Sequence, residues 1–184
     1  MAHVGPIRPS APSRRRVVMR NLLPKLRAIK LLVLDFDGVF TDNRVIVHED
    51  GSEAVLCNRS DGLGVGMARE SGLSMVVLTA ELNAAPRKRC EKLKIPCIQV
   101  EKHKLPALQS ILSERGVGPG EAAYVGNDVN DLPCMEHLMQ AGGIAIAVAD
   151  AHPEVLRRIP NVTRLPGGAG AVREVIDLFL EARR

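Results

Sequence analysis

The sequence predicts an α/β protein, a doubly wound parallel sheet with helices on both faces. Short, wholly apolar runs such as Leu31–Leu34 recur along the chain, as strands buried on both faces require. Amphipathic segments of roughly ten residues separate those runs, so strands and helices alternate as in βαβ units. The core vocabulary is aliphatic, with one Tyr, three Phe and no Trp in 184 residues. That composition suits parallel strands covered by helices.

In chain order, the first strand is Leu31–Leu34, and it ends in Asp35 and Asp37, with Gly38 allowing a sharp exit. Residues 44–57 read as a β-hairpin, two apolar runs flanking the turn pair Asp50-Gly51. Helical spacing over 62–72 (Leu63, Val65, Met67, Ala68) stops at Ser71-Gly72, and 73–79 is a second buried strand ending in Thr79. A charged amphipathic helix is expected over 83–93, with Pro86 near its first turn where proline is tolerated. A short third strand occupies 96–100, and 103–115 is a helix with Leu105, Leu108, Ile111 and Leu112 on one face. The fourth strand, 122–126, opens into Asn127, Asp128, Asn130 and Asp131, followed by a helix over 132–139. Residues 144–148 form a fifth strand, 153–158 a helix, 162–165 a short sixth strand, and 170–182 a closing amphipathic helix.

The length suits one domain with a substantial core and excludes two large ones. The reading is a basic, disordered extension over 1–28 and a single domain over 29–184. The formal charge of +4 comes from the start of the chain, where residues 1–30 hold eight Lys/Arg and no acid. Without them 17 basic residues face 21 acidic ones, a net of −4. An Arg-rich, acid-free start also fits a transit peptide. A basic arm fits nucleic acid or a membrane surface, but no aromatic residues interleave it as a single-strand binder requires. No apolar run approaches the roughly 20 residues of a membrane span. Cys57, Cys90, Cys97 and Cys134 form no CxxC pair and read as small buried side chains, so a reduced cytoplasm is the expected location.

Chemistry concentrates at the strand ends. In an open parallel sheet, ligands collect outside the carboxyl ends of the strands. Asp35 and Asp37 there make a hard-oxygen site suited to Mg²⁺, and equally a nucleophile beside a proton carrier. Thr79 offers a hydroxyl to an anionic oxygen. Lys104, at a helix start, adds an ammonium to the positive end of the helix dipole, which suits phosphate. Asn127, Asp128, Asn130 and Asp131 supply further oxygen ligands. Singly each has a plain structural explanation, the acidic loop as a helix cap for instance. Their recurrence in chain order at strand ends argues for one site.

The segments DFDGVFTD, NRSDGLG, VVLTAE, HKLPAL, AYVGNDVNDLPCM, AVADAHPEV and PGGAGAVREV together resemble the haloacid dehalogenase superfamily of phosphatases across 29–182. Within it they are similar to the capless subgroup of 3-deoxy-manno-octulosonate 8-phosphate phosphatases and to the phosphatase-like modules of acylneuraminate cytidylyltransferases. The resemblance implies a Rossmann-like fold with a hairpin flap, no large cap domain, and a homotetramer. It implies that Asp35 attacks phosphorus to form an aspartyl-phosphate, while Asp37 serves the leaving group and then the water as acid and base. Asp35, Asp37 through its carbonyl, Asn127 and Asp128 would hold Mg²⁺. Asp61, Gly62, Thr79, Lys104 and Arg173 would bind the substrate, a sugar phosphate.

The sequence also departs from the family pattern. Asn127 stands where the family commonly has a carboxylate, Ser60 where it has an arginine facing substrate, and Ala169 where it has a second arginine. Eight- and nine-carbon keto sugar acids therefore both stay open as substrates. A catalytically weak oligomerisation module is the rival reading, and nucleic-acid binding through the basic tail is the least favoured.

Overall fold

The computed structural model of the chain describes residues 19–184. Most of the basic extension, 1–18, lies outside the described residues. Residues 19–28, expected to belong to it, instead pack on the domain. Helix α1 (Leu23–Leu26) lies against the C-terminal helix, with Met19, Leu26 and Ile29 buried. The Arg27 guanidinium donates to the Ala182 carbonyl at 2.6 Å. Met19 and Leu26 turn this part of a segment of basic composition into core.

Strand β1 (Leu31–Leu34) is wholly buried. It is followed by the ribbon strands β2 (Ile46–Val47) and β3 (Glu53–Ala54), then α2 (Arg59–Glu70), β4 (Ser74–Thr79), α3 (Ala84–Leu93) and β5 (Cys97–Gln99). The second half runs α4 (Lys104–Glu114), β6 (Ala122–Gly126), α5 (Leu132–Gln140), β7 (Ile144–Ala147), α6 (Pro153–Arg158) and α7 (Ala171–Ala182). The main sheet is parallel throughout, in the order β5-β4-β1-β6-β7. Successive strands step one way from β1 to β5, then cross back to β6 and β7. Because such crossovers share one hand, the two sets of connecting helices lie on opposite faces. Helix α2 accordingly packs against α7, and α4 against α5.

Two boundaries differ from expectation. Helix α2 begins at Arg59, three residues before the expected start, because the Asn58 side chain accepts from the Ser60 N–H at 2.8 Å and caps it. The sixth strand is reduced to a single parallel bridge between Ala147 and Val162. After Thr163 the chain turns away, since the N–H groups of Arg164 and Leu165 donate to the Glu174 carboxylate at 3.1–3.2 Å instead of to a strand.

Candidate active site

The reversal of strand order places β1 between β4 and β6, so the three strands that carry polar ends are neighbours. Asp35 follows β1, Thr79 closes β4, and Asn127 and Asp128 follow β6, all at one end of the sheet. The connection from β5 brings Lys104, the first residue of α4, to the same point. Asp35, Asp37, Thr79, Lys104, Asn127 and Asp128 line one cavity of about 220 Å³.

The loop after β1 is held by its own atoms. The Gly38 and Asn43 N–H groups donate to the Thr41 hydroxyl oxygen, at 3.1 and 3.3 Å. The hydroxyl in turn donates to Asp37 Oδ1 at 3.3 Å. Gly38 has φ +74, and any Cβ there would overlap the Asn127 side-chain amide, so only glycine lets the β1 and β6 loops approach so closely. On its other side Gly167 leaves no room for a Cβ against the Gly38 carbonyl, and the Gly168 N–H donates to the Val39 carbonyl at 3.1 Å. The glycine-rich loop before α7 thus braces the loop after β1 from behind.

Lys104 is buried and bridges two carboxylates, with Nζ at 2.7 Å from Asp35 Oδ1 and 2.8 Å from Asp131 Oδ1. An ammonium has three donors, so one N–H remains for a ligand. Asp35 Oδ1 also accepts from the Phe36 N–H at 2.7 Å, while Oδ2 takes no hydrogen bond from the described residues. Burial and the Asp131 charge push the Asp35 carboxyl up to about 8, against the pull of Lys104. Burial also raises Asp37, with the Thr41 hydroxyl opposing it and Glu81 adding to it. The raised Asp37 carboxyl suits a proton donor.

Asp131 corrects one expectation. It was expected to offer oxygen to a metal or to cap the following helix; instead it is fully buried and makes no side-chain cap bond within α5. Its Oδ1 accepts from Lys104 and from the Tyr124 hydroxyl at 2.8 Å. Its Oδ2 accepts from the N–H groups of Asn127 and Asp128, at 2.9 and 3.2 Å. All of its capacity is spent on shaping the site. Sequence reasoning missed Tyr124, whose only signal was a lone hydroxyl inside an apolar strand. It missed Glu81 and Asn43 as well, both of which line the cavity. Asn43 sits at φ 64, unusual for a residue with a side chain.

Asp61, Gly62 and Arg173 do not line this cavity. Asp61 is fully buried in the first turn of α2, where Oδ1 accepts from the Arg173 N–H at 2.8 Å and Oδ2 has no partner. Burial pushes its carboxyl up to about 6. The Arg173 guanidinium pairs with Asp177 at 2.8 Å. A Cβ on Gly62 would press on the Arg89 guanidinium at 2.9 Å, so glycine there admits Arg89.

The residues present fit Mg²⁺. Asn127 Oδ1 is buried without a hydrogen-bond partner, and such an orphaned oxygen calls for a ligand. Asp35, Asp37 and Asp128 line the cavity as oxygen donors, and a cation bound beside them would favour the ionised forms of Asp35 and Asp37 that burial disfavours. The available donors are all oxygens, as a hard cation prefers. Among the described residues no three His, Cys, Asp or Glu side chains cluster as a metal site; here an amide supplies one oxygen.

No protein-family model matches the chain. The 3-deoxy-D-manno-octulosonate 8-phosphate phosphatase KdsC of Escherichia coli K12 is 38% identical over 167 residues, covering 90% of this chain and 87% of that protein. The crystal structure of the Moraxella catarrhalis phosphatase of that name, in complex with magnesium, phosphate and KDO, has a TM-score of 0.82 at 31% identity, covering 89% of this chain and 92% of that one. A haloacid dehalogenase family hydrolase from Streptomyces avermitilis is 44% identical with a TM-score of 0.79, covering 84% of this chain and 93% of that one. With this fold, this cavity and these relatives, the chain belongs to the 3-deoxy-D-manno-octulosonate 8-phosphate phosphatase family of haloacid dehalogenase-type hydrolases.

Proposed function

We propose that the chain is a Mg²⁺-dependent phosphomonoesterase acting on a phosphorylated keto sugar acid in the cytoplasm. Its substrate is 3-deoxy-D-manno-octulosonate 8-phosphate or a nine-carbon 9-phosphate of sialic-acid type. The observation that carries this reading is Asp35, a buried carboxylate with one oxygen pinned by Lys104 at 2.7 Å and the other free at the cavity.

Asp35 Oδ2 attacks phosphorus, the bond from phosphorus to the sugar oxygen breaks, and the Asp37 carboxyl gives its proton to the departing alcohol. Asp37, now a carboxylate, takes a proton from the water that attacks the aspartyl-phosphate, and phosphate leaves. The third N–H of Lys104 and the Thr79 hydroxyl hold phosphoryl oxygens, where positioning and neutralisation carry most of phosphoryl-transfer catalysis. Thr79 is free to donate, because its oxygen accepts from the Glu81 N–H at 3.1 Å. Asp35, the Asp37 carbonyl, Asn127 and Asp128 would hold Mg²⁺, which when bound would supply charge neutralisation. Burial around Asp35 excludes bulk water.

Ser60 and Ala169 offer no cation to the carboxylate that the eight- and nine-carbon acids share, so both stay open as substrates. The homotetramer is supported by the ribbon, where Val47 and Leu56 are each 65% exposed and a lone two-stranded ribbon is marginal in water. No described helix is long and apolar enough to cross a membrane. Phosphate release across a panel of sugar phosphates tests the substrate class. The keto sugar acid phosphates are expected to have the highest kcat/KM, and a clear preference for a hexose phosphate overturns the assignment.

A further inference from the structure

The ribbon is anchored at its base by the Thr41–Cys57 bridge and by Val55 and Cys57 packed on the core, and beyond that by little. Its turn is closed by its own atoms, with the His48 N–H on the Ser52 carbonyl and Ser52 on the Asp50 carboxylate. Val45, Ile46, Val47 and Leu56 are half exposed or more. Among the described residues, one hydrogen bond joins 45–56 to the rest of the chain, from Asn83 Nδ2 to Glu53 Oε2 at 3.0 Å.

The Asn83 end of that bond is fixed from three directions. Its Oδ1 accepts from the Ala85 N–H at 2.9 Å and caps α3. Its own N–H donates to Glu81 Oε1 at 2.9 Å. Its carbonyl accepts from Gln99 Nε2 at 2.8 Å, and Gln99 also holds the Glu81 carbonyl at 2.8 Å. With Oδ1 committed to the helix, Nδ2 has one direction to point, and Glu53 lies there. Beneath this bond a second cavity, about 230 Å³, is walled by Val45, Glu53 and Val55 on the ribbon and by Asn83 opposite. It shares Asp37, Asn43 and Glu81 with the catalytic cavity. An ester whose phosphorus sits at Asp35 and whose leaving oxygen sits at Asp37 extends into this space.

We propose that the Glu53–Asn83 hydrogen bond is a latch that holds the ribbon over the mouth of the catalytic cavity, making Glu53 and Asn83 positioning residues for the leaving group. The proposal rests on the phosphatase reading, but the latch itself has a readout independent of activity. Glu53 is the residue to change, because replacing Asn83 also removes the cap of α3.

The test compares the full chain with Glu53→Ala and Glu53→Gln by hydrogen exchange of the 45–56 amides. It also compares kcat and KM for 3-deoxy-D-manno-octulosonate 8-phosphate against acetyl phosphate, whose leaving group is too small to reach the ribbon. In Glu53→Ala the ribbon amides exchange at least about threefold faster, and the preference for the sugar phosphate falls about fivefold through KM, the scale of one lost hydrogen bond. In Glu53→Gln the side-chain carbonyl still accepts from Asn83, so both readouts stay within about twofold of the parent. Unchanged exchange in Glu53→Ala, an unchanged preference, or a glutamine variant that fails as alanine does overturns the latch. Hydrolysis of neither ester by the parent overturns the phosphatase reading instead, and the exchange rates alone then decide the latch.

Discussion

Replacing Asp61 by asparagine should stabilise the protein near neutral pH and remove part of its pH dependence. Asp61 has no exposed surface, receives one hydrogen bond from the Arg173 N–H, and leaves Oδ2 unpartnered. Burial raises its carboxyl from 3.8 to about 6, with the Arg173 N–H bond and the Arg89 and Arg173 charges opposing the rise. The folded state therefore prefers the protonated form. Its contribution is fully present below the unfolded value of 3.8 and is lost as pH rises through about 6. The full span is worth about 3 kcal/mol, of which about 1.4 kcal/mol falls between pH 5 and 8. Asparagine keeps a carbonyl for the Arg173 N–H and carries no charge at any of these pH values. Urea unfolding of both proteins from pH 5 to 8 should show the variant gaining about 1.4 kcal/mol on the parent across that range. Parallel stability curves for the two proteins would refute the reasoning, because they would mean that Asp61 does not titrate in the folded state.

Three further outcomes follow from the same geometry. Lys104→Met leaves Asp35 and Asp131 buried without their shared cation; it should cost about 3–5 kcal/mol in denaturant unfolding and abolish phosphate release. Asn127→Asp replaces an orphaned buried oxygen by a charged one and should tighten Mg²⁺ by about 1–3 kcal/mol, read as a lower half-saturating Mg²⁺ concentration. If its Mg²⁺ dependence is unchanged while Asp128→Asn loses it, Asp128 is the ligand and Asn127 a bystander. Light scattering should report a tetramer at micromolar concentration, and Val47→Asp, placed on the exposed apolar ribbon, should dissociate it; a monomeric parent rejects that assembly.

The parallel sheet was legible because buried strands write themselves as unbroken apolar runs, and the site was legible wherever a polar residue interrupted one. Asp35, Thr79 and Asn127 all announce themselves that way, and the strand order β4-β1-β6 brings them together. What stayed hidden depends on contacts between residues far apart in sequence. Asp131 looks like a helix cap from its neighbours, and only Lys104, 27 residues earlier, reveals it as the buried counter-ion. Asp61 and Arg173, 112 residues apart, are joined through a backbone N–H that no side-chain pattern records. The N-terminal segment misled because its basic residues dominate its composition, while Met19 and Leu26 do the packing. The sixth strand failed for a similar reason, as Glu174 on α7 captures the N–H groups that a strand would have used.

The central claim is that Asp35 is the nucleophile of a Mg²⁺-dependent phosphatase. Phosphate release from 3-deoxy-D-manno-octulosonate 8-phosphate tests it most directly, measured with Mg²⁺, with EDTA, and with Asp35→Asn. Hydrolysis by the parent that stops with EDTA, returns with Mg²⁺ and is absent in the folded Asp35→Asn protein is the predicted result. Hydrolysis that persists in Asp35→Asn, or that proceeds undiminished in EDTA, would contradict the account.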